Sequence, residues 1–371
     1  MSCQPNGCAV TVWFEIVEVI VRILFCGLGG IGQRHLRNLR KLLGHSLEVH
    51  AYRVRGQRIK LQDNLTVEQG ADLEADYGVI VHHDLDSALA QNPQAVFICN
   101  PNALHVPIAL ACARAGVAVF MEKPLASDLE GIEELLALVK QKQLLFYVGY
   151  NFRFHPGLQR LKSLLDEGHF GNIIRVSAEI GEYLPNWHKY EDYRQMYAAR
   201  ADQGGGVILS QIHEMDLIYW LFGLPDNILC VGGQLSNLEI DVEDTATSLM
   251  QYRGEQGSFP IHLHQDFVQR PPVRTFKIIG DGGSAVMDLI NTQLTVYTAT
   301  GEVAESSNFP DFVRNEMFLN QARHFLDCLQ GNARPKVTLF DGLQSLRLAL
   351  AARESLKKGV QINLDEVTVN G

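Results

Sequence analysis

The sequence holds no lysine- or arginine-rich run, and its 32 basic residues against 42 acidic ones leave a formal net charge of −10. A nucleic-acid surface needs a basic face to neutralise phosphates, so that class of partner is excluded. No apolar stretch is long enough to cross a bilayer; Ala9 to Ile20 is short and carries Glu15 and Glu18. Ahead of the first clear strand there is neither the basic n-region nor the small-residue cleavage site of a signal peptide. Residues 1–20 are therefore expected to be an extension outside the fold, with an added strand or helix over Val10 to Glu18 as the alternative. The seven cysteines (Cys3, Cys8, Cys26, Cys99, Cys112, Cys230 and Cys328) are odd in number and scattered, and no two have C-x-x-C spacing. That pattern excludes a zinc ribbon and a thioredoxin-type pair and suits a reducing cytoplasm, the expected location. His213-Glu214 is followed by leucine at 217, so the H-E-x-x-H pattern of zinc hydrolases is missing too. Internal repeats and low-complexity runs are absent.

What is present is ordinary globular composition, 46% hydrophobic and 20% charged over 371 residues, enough for two domains at about 150 residues each. Val21 to Cys26 is a short apolar run of the kind a doubly covered parallel strand requires. Gly27, Gly29 and Gly32 then fall on G-x-G-x-x-G spacing and lead into an amphipathic helix over Ile31 to Leu43. The first glycine permits a tight turn, the second lets a pyrophosphate approach the backbone, and the third lets helix and strand pack closely. Free N–H groups at the helix start complete an anion site, so Gly27, Gly29, Gly30, Ile31 and Gly32 are assigned to a dinucleotide.

The strand over Ser46 to Tyr52 ends in Arg53 and Arg55, where such folds read the ribose. An acidic residue there would favour NAD and an arginine the 2′-phosphate of NADP, so Arg53 points to NADP with NAD as the alternative. Further strands are read at Gly78 to His82, Ala95 to Cys99 and Val117 to Met121, with helices at Asp84 to Ala90 and Val106 to Ala115. The strand ending at Cys99 runs into Asn100-Pro101-Asn102, and the one ending at Met121 into Glu122-Lys123-Pro124. A charged pair at the carboxyl end of a buried strand is not required by packing, which makes Lys123 a functional candidate.

These stretches together resemble the Gfo/Idh/MocA family of oxidoreductases: the glycine fingerprint Gly27 to Gly32, the loop Asn100 to His105, the Glu122-Lys123-Pro124 motif, and Val148 to Pro156 leading into a second domain. The resemblance implies that Asn100, Pro101, Asn102, His105, Glu122 and Lys123 face the cofactor and that Lys123 lies near both nicotinamide and substrate. It also gives meaning to Gly204-Gly205-Gly206 followed by His213 and Asp216, because the family carries G-G-G before a helix with H-x-x-D. There the histidine is an acid/base residue, suited to that work by a pKa near neutrality. Many members have an aspartate three or four residues before it; this chain has Leu209 and Ser210, so the family's Lys-Asp-His trio is incomplete.

The second domain reads as a helix over Pro156 to Glu167, a strand over Ile173 to Ile180, a long aromatic and charged loop over Tyr183 to Arg194, a single helix over Val207 to Phe222, several strands, and closing helices over Asn315 to Leu329 and Leu343 to Lys357. Loops of that length often bind ligands. The substrate set is accordingly Lys123, Tyr150, Arg153, Trp187, Tyr193, Arg194, Ser210, His213 and Asp216, with Lys123 and His213 catalytic; Arg270 is a weaker candidate. His262, His264 and Asp266 alternate on one strand, but a metal site is not assigned. The expected architecture is a doubly wound parallel Rossmann sheet over residues 21–150, then an α+β domain over residues 151–371 with a large, mainly antiparallel open sheet that invites assembly into homodimers or homotetramers. The expected reaction is reversible hydride transfer between NAD(P) and a carbinol or ketone carbon of a sugar, sugar nucleotide or polyol. A dinucleotide-binding sensor of the same fold is the rival, favoured by the missing aspartate.

Overall fold

The computed structural model describes residues 20–54, 56, 58–254 and 257–369. The expected extension therefore lies, but for Ile20, outside the described residues, as does Arg55. Strands β1 (Val21–Cys26), β2 (Leu47–Tyr52), β3 (Ile80–His82), β4 (Ala95–Ile98), β5 (Ala118–Met121) and β6 (Phe146–Val148) form one sheet in the order β3-β2-β1-β4-β5-β6, with every pairing parallel. Residues Ile23 to Cys26 and Ala95 to Ile98 are buried throughout, as strands covered on both faces must be. Helices α1 (Gly30–Leu43), α2 (Leu73–Tyr77), α3 (Leu85–Leu89), α4 (His105–Ala115) and α5 (Ile132–Lys142) make the crossovers. Because the chain travels one way from β1 and the other way from β4, right-handed crossovers put α1 and α4 on opposite faces. The strand order reverses between β1 and β4, and a crevice opens at their carboxyl ends.

After α6 (Pro156–Asp166), which His155 caps through its ring Nδ1, the second sheet begins with β7 (Ile173–Gly181). Helices α7 (Val207–Ser210) and α8 (His213–Phe222) follow, then β8 (Asn227–Gly233), β9 (Thr245–Gly254), β10 (Gly257–Asp266), β11 (Val273–Gly280), β12 (Gly283–Asp288), β13 (Gln293–Thr298) and β14 (Val303–Asn308). Helices α9 (Asn315–Leu329) and α10 (Leu339–Lys358) and the short β15 (Ile362–Asn363) close the chain. The nine strands run in the order β14-β13-β12-β11-β7-β10-β9-β8-β15, antiparallel except for β7 against β10. Helix α10 starts four residues before the periodicity suggests, because Thr338 and Asp341 form a reciprocal capping box.

The helix expected over Val207 to Phe222 is two helices. Gln211 turns out of helical geometry (φ −98°, ψ 33°), its side chain donates to the Asp266 carbonyl (2.9 Å), and Gln265 donates to its own carbonyl (3.1 Å). Two buried amides thus pin the break to the sheet. Along β9, Ala246, Ser248, Met250 and Tyr252 are buried while Leu249 and Arg253 are exposed, so one face of the nine-stranded sheet packs on helices and the other is open. Among the described residues no helix is long and apolar enough to cross a membrane, and the five described cysteines are free and buried.

Candidate active site

A cavity of about 980 Å³ runs from the glycine turn to the second sheet, with Arg53 and Lys123 both on its wall. At the cofactor end the three fingerprint glycines have different reasons. A Cβ on Gly27, whose φ is +97°, would lie 2.9 Å from the Asn100 nitrogen, and one on Gly32 would lie 2.3 Å from the Gly27 carbonyl oxygen. Those two serve the chain's own packing. A Cβ on Gly29 would meet nothing within 4 Å, and Gly29 caps α1 without a side-chain partner, so the helix start faces open cavity. Asn100, Pro101, Asn102 and His105 line the same end. His105 is also a brace, its ring nitrogens 2.8 Å from the Pro124 carbonyl oxygen and 2.9 Å from that of Asn100. Asn102 donates to the Gly204 carbonyl (3.0 Å).

Arg53 lines the ribose end, but its guanidinium is ion-paired with Glu74 and its side chain is 7% exposed. A reader of a 2′-phosphate should offer free donors; this one is already engaged by a carboxylate. The arginine expected to read a 2′-phosphate thus has a carboxylate partner in this structure.

Lys123 follows β5. Its Nζ donates to the Ser210 carbonyl oxygen (2.9 Å), and the helix break supplies that acceptor: α8 begins after it, and Glu214 N–H turns to Gln211 instead. Burial lowers the Lys123 pKa, partly offset by the negative charges of Glu122, Glu214 and Glu182. The Glu122 carboxylate lies 2.6 Å from Nε2 of the buried His35 and accepts from the Lys123 backbone N–H (3.2 Å). His213 opens α8, its ring 4.8 Å from that of Phe152 and 5.9 Å from that of Tyr150. Burial pushes its pKa well below the usual imidazole value, and the positive charges of Lys123, Arg274 and Arg314 push the same way. Ser210 and Trp187 also line the cavity.

Other expected substrate residues lie elsewhere. Arg153 and Asp216 form a buried bidentate pair (2.7 and 3.0 Å) that also holds Ser345 (2.9 Å), so neither is on the cavity wall. Asp216 therefore does not stand in for the missing aspartate. Tyr150 is wholly buried behind His213. Arg194 is half-exposed and paired with Asp192 (2.6 Å) and Glu239 (3.0 Å), and the Tyr193 hydroxyl accepts from Glu239 N–H (3.3 Å); both sit outside the cavity. Gly204 to Gly206 also stand off it: a Cβ on Gly205 would lie 2.4 Å from the Tyr197 carbonyl oxygen, and one on Gly206 2.2 Å from Glu243. They make room for the chain's own Tyr197 carbonyl and Glu243 side chain. His264 Nε2 is 3.3 Å from Asp266, and the described residues hold no group of three ligands suited to a metal.

The structure adds residues the sequence reading did not choose. Arg274 stacks on Phe152 (3.9 Å to the ring centre) and holds the buried Glu214 at 2.6 and 3.0 Å. An arginine alternating with Phe276 and Ile278 on the buried side of a strand was a visible signal. Glu182, Gln211 and Arg314 also line the cavity; Arg314 precedes a helix in a loop and carried no signal.

Comparison with known proteins agrees with this architecture. A family model described as an oxidoreductase family with an NAD-binding Rossmann fold matches residues 21–150, and its companion, described as the C-terminal alpha/beta domain, matches residues 162–364. The chain is similar to the myo-inositol 2-dehydrogenase of Thermotoga maritima, 24% identical with 94% of this chain and 99% of that one covered. It is likewise similar to the scyllo-inositol 2-dehydrogenase (NAD(+)) of Bacillus subtilis, 25% identical over 94% and 98%. Among solved structures, the WlbA dehydrogenase from Bordetella pertussis in complex with NADH and UDP-GlcNAcA shares the fold at TM-score 0.75 and 23% identity, covering 93% of this chain and 98% of that one.

Proposed function

The chain belongs to the Gfo/Idh/MocA family of oxidoreductases, and from that premise we propose that it interconverts a carbinol and a ketone on a sugar, sugar nucleotide or cyclitol, with Lys123 and His213 as its catalytic residues. One observation carries the substrate class. Trp187 Nε1, Ser210 Oγ, Gln211 Oε1 and His213 Nδ1 are buried, have no hydrogen-bond partner among the described residues, and belong to residues that line the cavity with Lys123. Unmet groups of this kind cost about 1–3 kcal/mol each. A polyhydroxylated ligand supplies donors and acceptors to such a wall; an apolar one does not.

The cavity suits a dinucleotide at its other end, where Gly29 leaves space before the open start of α1. Gly27 to Ile31, Asn100 to Asn102 and Arg53 would hold it, and when bound it accepts or returns a hydride. Residues 21–150 are its domain in this reading, and residues 151–371 bind substrate. In this reading the cofactor is NAD rather than NADP, and the Arg53–Glu74 pair, which occupies the guanidinium with a carboxylate, supports it. In the oxidising direction, neutral His213 takes the hydroxyl proton. Lys123, anchored on the Ser210 carbonyl, donates to the same substrate oxygen and stabilises its negative charge as the carbonyl forms. Reduction runs the same transfers backwards. The open face of the nine-stranded sheet, where Val231 (60% exposed) and Leu249 (51%) stand out, is the proposed surface for a homodimer or homotetramer.

Fluorescence titration with NADH and NADPH tests the cofactor, and turnover of a polyol and sugar panel tests the reaction. Lys123→Ala and His213→Ala should each bind NADH normally and lose about 10²–10⁴-fold in kcat. Turnover at the parent rate by either variant removes it from the mechanism.

A further inference from the structure

The charges on the cavity wall do not balance, and the imbalance is local. Arg53 is ion-paired with Glu74 and Arg274 with Glu214; Glu191 lies 2.7 Å from His188 Nδ1, Glu122 is held by His35, and Arg34 donates to the Asn315 side chain (3.2 Å) and the Asp63 carbonyl (2.9 Å). Arg314 is different. It lines the cavity just before α9, and it has no ion pair or hydrogen bond among the described residues. Arg270, on the same cavity, lies over the Tyr183 ring (4.0 Å) and likewise has no carboxylate partner among the described residues. Against these two guanidiniums, together with Arg34 and Lys123, the one lining carboxylate without a partner among the described residues is Glu182.

The surplus sits at the reacting end. Arg274 belongs to that end by geometry, since it lies over Phe152 (3.9 Å), whose ring is 4.8 Å from that of His213; Arg314 lines the same cavity, and its positive charge is among those that lower the His213 pKa. Arg274 is held in place, stacked on Phe152 and forked onto Glu214, and it lines the same cavity as Arg314. A planar fork of free N–H donors next to a second fixed guanidinium is the arrangement that recognises a carboxylate or a phosphate. Arg194, exposed and already paired outside the cavity, does not do this.

We propose that the substrate carries an anionic group, a carboxylate or a phosphate, and that Arg314 receives it beside Arg274. The assignment deepens the oxidoreductase reading above and rests on it. A neutral polyol satisfies the unpartnered polar atoms near Lys123 but leaves the Arg314 charge facing only Glu182. An acidic sugar or a cyclitol phosphate satisfies both.

The test uses the full chain. NADH binding is measured first, and the NADH-loaded protein is then titrated calorimetrically with two matched pairs: D-glucuronate against D-glucose, and myo-inositol 1-phosphate against myo-inositol. The first pair reports a carboxylate and the second a phosphate. At least one acid should bind 10-fold or more tightly than its neutral partner, and raising KCl from 50 to 500 mM should shrink that preference, as for a charge pair open to solvent. Arg314→Gln should reduce the preference to under 3-fold with NADH affinity unchanged, and Arg314→Lys should retain part of it. If neither acid outbinds its neutral partner, or Arg314→Gln keeps the full preference, the assignment is overturned. Failure to bind NADH would instead remove the oxidoreductase reading beneath it.

Discussion

Burial acts in one direction on Lys123 and His213, since each is charged when protonated and each is taken out of water. Both pKa values are lowered, and the positive neighbours of His213 lower it further. Oxidation needs His213 neutral and Lys123 protonated. The kcat/KM profile should therefore rise with pH through an acid limb below 6.5, the usual histidine value, and fall through an alkaline limb below 10.5, the usual lysine value. A measured acid limb at or above 6.5 would contradict the role of His213. His35 works at one remove. It touches Glu122, whose other oxygen accepts from the Lys123 backbone. His35→Leu strands that carboxylate, so urea denaturation should show a loss of about 1.5–3 kcal/mol, and kcat should fall more than NADH affinity.

At the scale of the element, the start of α1 and the gap between α7 and α8 do the positioning. Gly29→Ala places its Cβ in open cavity at an extended backbone position, so stability should fall by no more than about 1 kcal/mol while NADH affinity drops at least 10-fold. Gly32→Ala drives a Cβ to 2.3 Å from a backbone carbonyl oxygen and should impair folding itself. Thermal melts and NADH titrations of the two variants separate a ligand-facing glycine from a packing one. The gap after Ser210 was invisible because residues 207–222 are apolar on nearly every side, and periodicity does not register a break made by Gln211 and Gln265 contacting the sheet. Without that break the Ser210 carbonyl would belong to a helix and Lys123 would lose its anchor.

Across the whole molecule, buried histidines link stability to acid. His155 caps α6, is 1% exposed, and has its pKa lowered to about 4 by burial and by the Arg274 charge. Its unfolded value is near 6.5, so the unfolded state binds the proton first as pH falls. Stability is full above pH 6.5 and is lost between 6.5 and about 4, by about 3 kcal/mol at 1.36 kcal/mol per unit. His155→Asn supplies a side-chain oxygen as the capping acceptor in place of Nδ1 and should flatten that slope in denaturation curves taken at pH 7 and pH 4.5. On the open sheet face, Leu249→Glu puts a charge where Leu229 and His262 flank it across the strands. Light scattering should then give a monomer mass where the parent gives a dimer or tetramer.

The sequence by itself determined what is written in contiguous stretches. The strand–glycine–helix start, the loop after Ile98, the Glu122-Lys123-Pro124 turn and the period of most helices depend on neighbours a few residues apart, so spacing reports them directly. It also carried Lys123, because a charged residue ending a buried strand stands out locally, and His213, through the resemblance of the glycine triplet and the H-x-x-D helix to the family's pattern. Only the tertiary structure decided which polar groups meet. Asp216 shares a helix with His213 yet pairs with Arg153, 63 positions away; Arg53 pairs with Glu74; Arg314 reaches the cavity from a loop with no pattern. A buried charge takes whatever partner the packing brings within about 3 Å, and that choice is made between elements rather than along the chain.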